Sequence, residues 1–465
     1  MPMPMNAADR SSAAAMVHRG RFAHAPQPDT LQILDDALVV VDQQGVIVEV
    51  LERDHARHAD TVSMARDAGR LSTASGEAFW LPGLIDLHVH APQWPQLGTA
   101  LHLPLQDWLQ QATFPLEARC ADLDYADRIY RSLVTTLLSH GTTTAVYFAT
   151  LHDAATQRLA ELCLELGQRA VVGRVAMDHP EQCPDVYRDP SAEAALRGTE
   201  ALIDFLANRQ RNPRRRVLPA ITPRFIPSCT DALLHGLGEL ASRHGCHVQT
   251  HCSESDWEHH HVLQRTGLSD THALEAVGLL GRHSVLAHAN LIDERDMRTM
   301  ARCGSGVAHC PLSNAYFSNG VFALRRAARL GVRVGLGTDI AGGPSASLFD
   351  AARQAVTVSR LLETGVDGRV DSERRGVAHS RIDFVHALHL ATAGGADVLE
   401  LPIGRFQAGC RFDALLIDPA ALDGGIVHWA DSDDERDLLQ KTLYGATRAN
   451  VRQVWVDGVQ RAGAS

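Results

Sequence analysis

From residue 82 onward, short apolar runs rich in β-branched residues alternate with longer amphipathic stretches rich in Ala, Leu, Arg and Glu. Buried parallel strands have the first pattern, and helices with one apolar face have the second. Eight consecutive strand–helix units predict a closed (β/α)8 barrel, and an open doubly wound sheet explains this number less well. The predicted strands cover residues 82–90, 141–149, 169–178, 217–225, 247–254, 284–290, 305–314 and 333–343.

The two ends of the chain carry a different pattern. Residues 32–50 read as two strands turned at 43–45, and an Asp-Gly pair at 457–458 predicts a second hairpin. With the apolar run 411–418, these segments predict one small β-sandwich domain built from both termini. The predicted division is a disordered tail at 1–14, the small domain at 15–80 and 399–465, and the barrel at 81–398.

Composition and charge narrow the class of protein. The chain has 465 residues, of which 45% are hydrophobic and 21% charged, which is ordinary for a globular enzyme. Its net charge of -11 disfavours nucleic acids and anionic membranes as partners, and we read the short Arg cluster at 209–216 as an exposed connection. No apolar stretch reaches the roughly 18 residues of a membrane helix, and the N-terminus lacks the features of a signal peptide.

Nine cysteines are scattered without CxxC pairs. An odd number without that spacing argues against a disulfide framework and against a thiolate zinc site. We therefore expect free thiols and a cytoplasmic protein.

Metal-binding side chains lie at the carboxyl ends of the predicted strands, where barrels carry their chemistry. Each of these groups alone is commonly structural, but five of them in equivalent positions indicate one site. Three imidazoles and a carboxylate that leave a position open for water fit catalytic Zn²⁺, with Fe²⁺ as the alternative. The five residues are His88, His90, His251, His288 and Asp339.

Glu254 follows His251 by three residues and could lean over this site as a general acid and base, or simply open the next helix. His259, His260 and His261 fall on several faces of that helix, so we expect them to be exposed. His309 is expected beside the site rather than in it. The only lysine of the chain is Lys441, outside the barrel, which excludes a two-metal site bridged by a carboxylated lysine.

These motifs resemble the amidohydrolase superfamily, in particular its deaminases with one metal ion. "DLHVH", "THCSE", "LAHAN" and "LGTDIAGG" match the strand-end motifs of that family in order. Within it, the chain resembles the guanine deaminases over about residues 80–350. Their more specific motifs are "HVHAPQW", "LPLQDWLQQATFPLEAR", "HGTTTAVYFATLH", "TPRFIPSC" and "HCPLSNAYFSNG". One departure is the lack of a lysine near Cys410, in the small domain.

The resemblance implies a role for each matching residue. One zinc ion per chain would be held by His88, His90, His251 and Asp339. Glu254 would shuttle protons with Asp339, and His288 would position the water or the substrate. The purine would be bound by Gln93, Trp108, Arg224 and Phe225. Without the resemblance, Gln93, Arg224 and Phe225 could equally be a surface amide, an ion-paired arginine and a core ring.

The implied reaction is hydrolysis of guanine to xanthine and ammonia, and the family suggests a homodimer. Two alternatives stay open. A related deaminase would act on 8-oxoguanine, a pterin or an aminotriazine. A barrel without catalytic activity would serve as a scaffold, although such a protein has no reason to keep a full metal set and Glu254.

Overall fold

The structure is a computed structural model that describes residues 14–317 and 320–463. The strands are β1 (Ala14–Gln27), β2 (Thr30–Asp42), β3 (Ile47–Leu51), β4 (Leu71–Thr73), β5 (Phe79–Pro82), β6 (Leu84–His90), β7 (Thr142–Phe148), β8 (Arg169–Ala176), β9 (Val217–Pro223), β10 (His247–Cys252), β11 (Ser284–His288), β12 (Gly306–His309), β13 (Arg333–Leu336), β14 (Ala414–Ile417), β15 (Val451–Val456) and β16 (Val459–Gly463).

The α-helices are α1 (His58–Asp67), α2 (Leu105–Trp108), α3 (Phe114–Ala118), α4 (Leu123–Ser139), α5 (Asp153–Leu166), α6 (Ala192–Ala207), α7 (Asp231–His244), α8 (Asp256–Thr266), α9 (Asp270–Ala276), α10 (Glu294–Cys303), α11 (Pro311–Tyr316), α12 (Leu324–Arg329), α13 (Leu348–Thr364), α14 (Ser372–Arg375), α15 (Phe384–His389), α16 (Gly395–Leu399) and α17 (Glu435–Gly445). Two π-helical turns extend α2 and α15, at Leu109–Thr113 and Leu390–Gly394. Short 3-10 turns occupy Ala91–Gln96, Arg119–Ala121, Asp185–Tyr187, Ile226–Ser228 and Arg448–Asn450.

Strands β6 to β13 form an eight-stranded parallel sheet in sequence order. The sheet closes because the segment after β13 pairs with β6. Val89 bridges Ile340 in parallel, the Asp339 N–H donates to the His88 carbonyl at 2.9 Å, and the His90 N–H donates to the Ile340 carbonyl at 2.9 Å. The predicted (β/α)8 barrel is confirmed.

The barrel strands are apolar because both of their faces are covered. Every residue of β6, β7 and β8 is buried, as expected for parallel strands with helices outside and side chains inside. Inside the barrel, Ile85, Val146 and Val285 belong to a cluster with Val398 and Leu399 of α16. Helix α16 therefore packs against the interior residues of the barrel.

The two ends of the chain share one mixed sheet of order β16-β15-β14-β5-β1-β2-β3, with β4 beside β1. Both predicted hairpins are present, β2–β3 and β15–β16. The ring of His18 stacks on Phe412 at 4.1 Å between centroids, and Trp80 and Trp455 surround it. This sheet confirms the small domain predicted from both termini.

The predicted domain limits are compatible with these elements but stay a prediction. Strand β5 ends at Pro82 and β6 begins at Leu84, so the chain passes from the terminal sheet into the barrel within two residues. The predicted tail falls largely on residues 1–13, outside the described residues, and Ala14 already begins β1.

Buried ion pairs join the terminal sheet to the barrel. Arg169, the first residue of β8, donates to Asp413 at 2.9 Å and to Asp457 at 2.5 Å. Arg216 and Arg411 each donate to Asp457 at 2.9 Å. These contacts lie at the amino ends of the barrel strands.

Two further features concern the chain as a whole. All nine cysteines are free thiols, six of them buried. Over residues 14–317 and 320–463, none of the helices combines the length and apolar character needed to span a bilayer.

Candidate active site

Four atoms that could hold a metal ion converge at the carboxyl end of the barrel. The Nε2 atom of His90 lies 3.2 Å from Nε2 of His88 and 3.1 Å from Nε2 of His251. Oδ1 of Asp339 lies 3.3 Å from Nε2 of His88 and 3.5 Å from Nε2 of His90. A tetrahedral ion with bonds of about 2.0–2.1 Å holds its ligand atoms about 3.4 Å apart. The spacing of these atoms therefore fits a divalent metal ion.

Burial favours the neutral form of the three imidazoles, which is the form that binds a metal ion. Burial lowers the pKa of His88, His90 and His251 well below the ordinary histidine value. Nδ1 of His251 also lies 2.5 Å from the carbonyl oxygen of Arg224. Because Nδ1 donates its proton there, the lone pair of Nε2 points toward the other ligands.

His288 belongs to the same cluster but faces a different part of it. Its Nδ1 donates to Oδ1 of Asn314 at 2.9 Å, which leaves Nε2 as an acceptor. That Nε2 lies 3.8 Å from Oε1 of Glu254 and 3.8 Å from Oδ2 of Asp339. No hydrogen bond to it is present among the described residues. It therefore faces the space between the two carboxylates.

Several residues that follow the barrel strands have left-handed backbone conformations. The φ angles are +48° at Ser253, +69° at His288, +53° at Ala289 and +53° at Asp339. Such conformations cost about 1–3 kcal/mol each in residues other than glycine and cluster at functional sites. Here they turn the chain sharply where each strand ends, so that its side chains project into the site.

Glu254 lies in the loop between β10 and α8 and is buried. Burial, and next the nearby Asp339 carboxylate, raises the pKa of Glu254 well above its ordinary value. A carboxyl group with a raised pKa can hold a proton near neutral pH and release it to a reacting atom. Nδ2 of Asn290 donates to the Glu254 carbonyl at 2.9 Å and ties this loop to the segment that follows β11.

A pocket opens over this cluster, with about 440 Å³ of empty space that includes part of the open solvent. The four residues predicted to bind a purine all line it, namely Gln93, Trp108, Arg224 and Phe225. They are joined there by His90, His251, Glu254 and Asp339, and by an apolar wall of Leu105, Leu109, Trp257 and Phe317.

A buried network holds the polar wall of the pocket. Arg224 donates to Glu117 with both terminal nitrogens, Nη1 at 2.7 Å and Nη2 at 3.0 Å. Nε2 of Gln93 donates to the same carboxylate at 2.8 Å, while its Oε1 accepts the Ala341 N–H at 3.1 Å. Gln93 is therefore not a surface amide. Arg224 is an ion-paired arginine that also lines the pocket.

The profile of the amidohydrolase family matches residues 79–461. The chain belongs to the amidohydrolase family. It is 36% identical to the probable guanine deaminase of Schizosaccharomyces pombe, covering 94% of this chain and 82% of the relative, and 35% identical to the guanine deaminase of Mus musculus, covering 97% and 98%. The crystal structure of guanine deaminase from C. acetobutylicum with bound guanine is similar to it with a TM-score of 0.84 and 28% identity, covering 96% of this chain and 99% of that one.

Three residues of this amidohydrolase support the site and were not assigned a role from the sequence. Glu117 lies inside the quoted motif "TFPLEAR", yet only the fold shows that it meets Arg224. Asp86 accepts hydrogen bonds from the N–H of Thr338 at 2.9 Å and from its hydroxyl at 2.5 Å, so it ties β6 to the Asp339 loop. Phe148 lies 4.8 Å from the rings of His88 and His90.

The remaining histidines of the amidohydrolase follow the predictions in part. His309, at the end of β12, is buried beside Phe322 and is not one of the converging donors. His260 is exposed as predicted, but His259 and His261 are only half-exposed. The prediction of full exposure is wrong for His259 because it packs against Ser253 and Asp270.

Proposed function

We propose that this amidohydrolase is a zinc-dependent guanine deaminase that hydrolyses guanine to xanthine and ammonia. The observation that carries the proposal is one pocket lined by three of the four predicted metal ligands, by Glu254 and by the buried Arg224 guanidinium. The names of the relatives and the guanine bound in the similar crystal structure support the same substrate.

One ion per chain would be held by His88, His90, His251 and Asp339. Three imidazoles and a carboxylate suit Zn²⁺, and Fe²⁺ is the alternative with the same donors. A bound divalent ion supplies a Lewis acid that makes water a nucleophile near neutral pH. The closed barrel brings these donor atoms close together.

Glu254 and Asp339 manage the protons of the proposed reaction. They accept the proton that the attacking water loses, and a new C–O bond forms at C2 of guanine. Glu254 then protonates the ring nitrogen next to C2. The new hydroxyl at C2 gives up its proton, which a carboxylate passes to the amine, and the bond from C2 to this amine breaks so that ammonia leaves and the C2 carbonyl of xanthine forms. His288, held by Asn314, accepts a hydrogen bond at Nε2 and so orients the water or the adduct.

The polar wall would recognise the base. A guanidinium has five N–H donors, and two of those of Arg224 bond Glu117, so others are free to donate to the C6 oxygen of guanine. Gln93 has one further N–H on Nε2 and one further lone pair on Oε1, which would bond the edge of the purine. Phe225 would stack on the ring, and Trp108 would close the apolar side of the pocket.

Ammonia release from guanine by metal-replete protein tests this proposal. Adenine, 8-oxoguanine, a pterin and an aminotriazine should be measured beside guanine, because faster release from one of them would replace the proposed substrate. Elemental analysis should find about one zinc per chain, and two tightly bound ions would contradict the assigned ligands. Substoichiometric metal together with no ammonia release from any substrate would favour the scaffold.

We also propose a cytoplasmic homodimer. The free thiols support a reducing compartment, and the resemblance to guanine deaminases suggests the dimer. Light scattering should give twice the mass of one chain, and cell fractionation should recover the protein with the cytoplasm. A monomer, or recovery with membranes, would contradict the respective part.

A further inference from the structure

The carboxylate of Glu258 lies directly behind the loop of Glu254 and has no part in the proposed reaction. It belongs to the first turn of α8 and is 1% exposed. Its Oε2 accepts the backbone N–H of Glu254 at 2.7 Å. Its Oε1 has no hydrogen-bond partner among the described residues. A buried carboxylate with this little compensation is costly, so its position calls for an explanation.

A second buried carboxylate holds the preceding residue of the same loop. Oδ1 of Asp270, at the start of α9, accepts the N–H of Ser253 at 3.1 Å. Its Oδ2 lies 3.4 Å from Nδ1 of His259, which is itself 3.2 Å from the Ser253 hydroxyl. The backbone N–H groups of Ser253 and Glu254 thus donate to two carboxylates, Asp270 of α9 and Glu258 of α8. Ser253 is also one of the residues with a left-handed backbone.

These bonds hold the short segment between the barrel and Glu254. Strand β10 ends at Cys252, so the backbone of residues 253 and 254, with the bond from Asn290 to the Glu254 carbonyl, sets where the Glu254 side chain begins. Burial, followed by the charge of Asp270, raises the pKa of Glu258. A protonated Glu258 still keeps Oε2 as an acceptor for the Glu254 N–H.

We infer that Glu258 is a positioning residue for the general acid and base Glu254, with Asp270 holding Ser253 in the conformation that Glu258 requires. This inference rests on the proposed function. Glu258 sets the backbone of Glu254, and the backbone sets the carboxyl group 3.8 Å from Nε2 of His288. Misplacement by about 1 Å commonly costs about 10²-fold in rate.

Glu258→Ala and Glu258→Gln test the inference with guanine as the substrate. The Ala variant removes the acceptor, so we expect kcat to fall at least about tenfold, with KM within about twofold and the metal content unchanged. The Gln variant keeps an oxygen that can accept the same N–H, so its kcat should return to within about threefold of the parent. The inference would be overturned if KM changed in the Ala variant without a fall in kcat, or if kcat of the Gln variant were as low as that of the Ala variant.

Amide hydrogen exchange of the peptide that spans residues 252–258 gives a second readout, independent of activity. Exchange at Glu254 should be faster by about three- to tenfold in Glu258→Ala, since its N–H loses the Glu258 carboxyl oxygen as acceptor, and close to normal in Glu258→Gln. If the parent releases no ammonia from guanine, the proposed function fails while this exchange still decides the positioning role. Unchanged exchange in the Ala variant would reject it.

Asp413→Ala is the matched control. Asp413 is another buried carboxylate that accepts a backbone N–H, that of Asp457 at 2.8 Å, but at the opposite end of the barrel. It should lower the melting temperature and leave kcat and the exchange of Glu254 unchanged. If it reproduced the loss of kcat, general destabilisation would explain the effect and Glu258 would have no positioning role.

Discussion

Arg224 and Glu117 place a complete ion pair inside the protein, with side chains 2% and 1% exposed. Removing both charges from water is expensive, and two parallel hydrogen bonds offset part of that cost. The pair also fixes the guanidinium plane toward the pocket. Loss of this ion pair should therefore change two measurable quantities, the free energy of unfolding and the rate with the substrate.

Arg224→Ala should lower kcat/KM for guanine by roughly 10- to 150-fold, through the loss of about 1.5–3 kcal/mol of charge-assisted hydrogen bonding, with the metal content intact. It also leaves Glu117 buried without its cation, so the free energy of unfolding should fall by about 3–5 kcal/mol. The double variant Arg224→Met/Glu117→Leu should regain stability in urea unfolding but not activity. A single variant that deaminates guanine within about threefold of the parent rate would show that Arg224 does not read the base.

Glu254→Gln should retain the metal and lose at least about 10²-fold in kcat, because an amide cannot take up and return a proton. Metal analysis and steady-state rates on the same sample measure both effects. Glu239→Gln, on the exposed face of α7, is the matched control and should change neither. Near-normal turnover of the Glu254 variant would remove this residue from proton transfer.

The convergence of the predicted metal ligands was predictable because each lies near or just after the carboxyl end of a strand, and these ends meet in a barrel. His88 and His251 are 163 positions apart, yet the periodicity of the chain places them together. Glu117 was not predictable in the same way. Its partner Arg224 is 107 positions away. The pattern of apolar residues does not show which buried charged residues form an ion pair.

At the scale of elements, closure of the barrel depends on the tight approach of β6 to the end of β13. A Cβ at Gly337 would lie 2.8 Å from Cβ of His88 and 2.9 Å from Sγ of Cys310. Gly337→Ala should therefore displace His88 and reduce the metal content of purified protein, and activity should fall in proportion. Gly368→Ala is the control, since nothing lies within 4 Å of its added Cβ. Full metal occupancy in Gly337→Ala would show that β6 can shift without cost.

The predicted strands all exist, but their ends are shorter than the apolar runs. The run 305–314 contains β12 only to His309, because Pro311 begins helix α11. The run 333–343 contains β13 only to Leu336, after which Gly337 and the left-handed Asp339 turn the chain into the site. Apolar composition marks what is buried, and in a barrel the loops that build the site are buried too.

At the scale of the whole molecule, Arg169 joins the barrel to the terminal sheet. Arg169→Met should lower the free energy of unfolding by about 3–5 kcal/mol, since Asp413 and Asp457 stay buried with fewer cations around them. Urea unfolding measures this loss. Arg369→Met, an exposed partner of Asp367 with 90% of its side chain accessible, should change stability by no more than about 0.5 kcal/mol. Equal effects of the two variants would mean that the buried contacts do not join the domains.

Because both ends of the chain share one sheet, part of that sheet cannot form until synthesis is nearly finished. Strand β5 pairs with β14, which begins more than 330 residues later at Ala414. During synthesis, the β5 edge therefore has no strand partner on that side until nearly the whole barrel has emerged. Unpaired edges recruit other chains, so we expect the β5 edge of a nascent chain to be open to pairing with other chains until β14 has been synthesised.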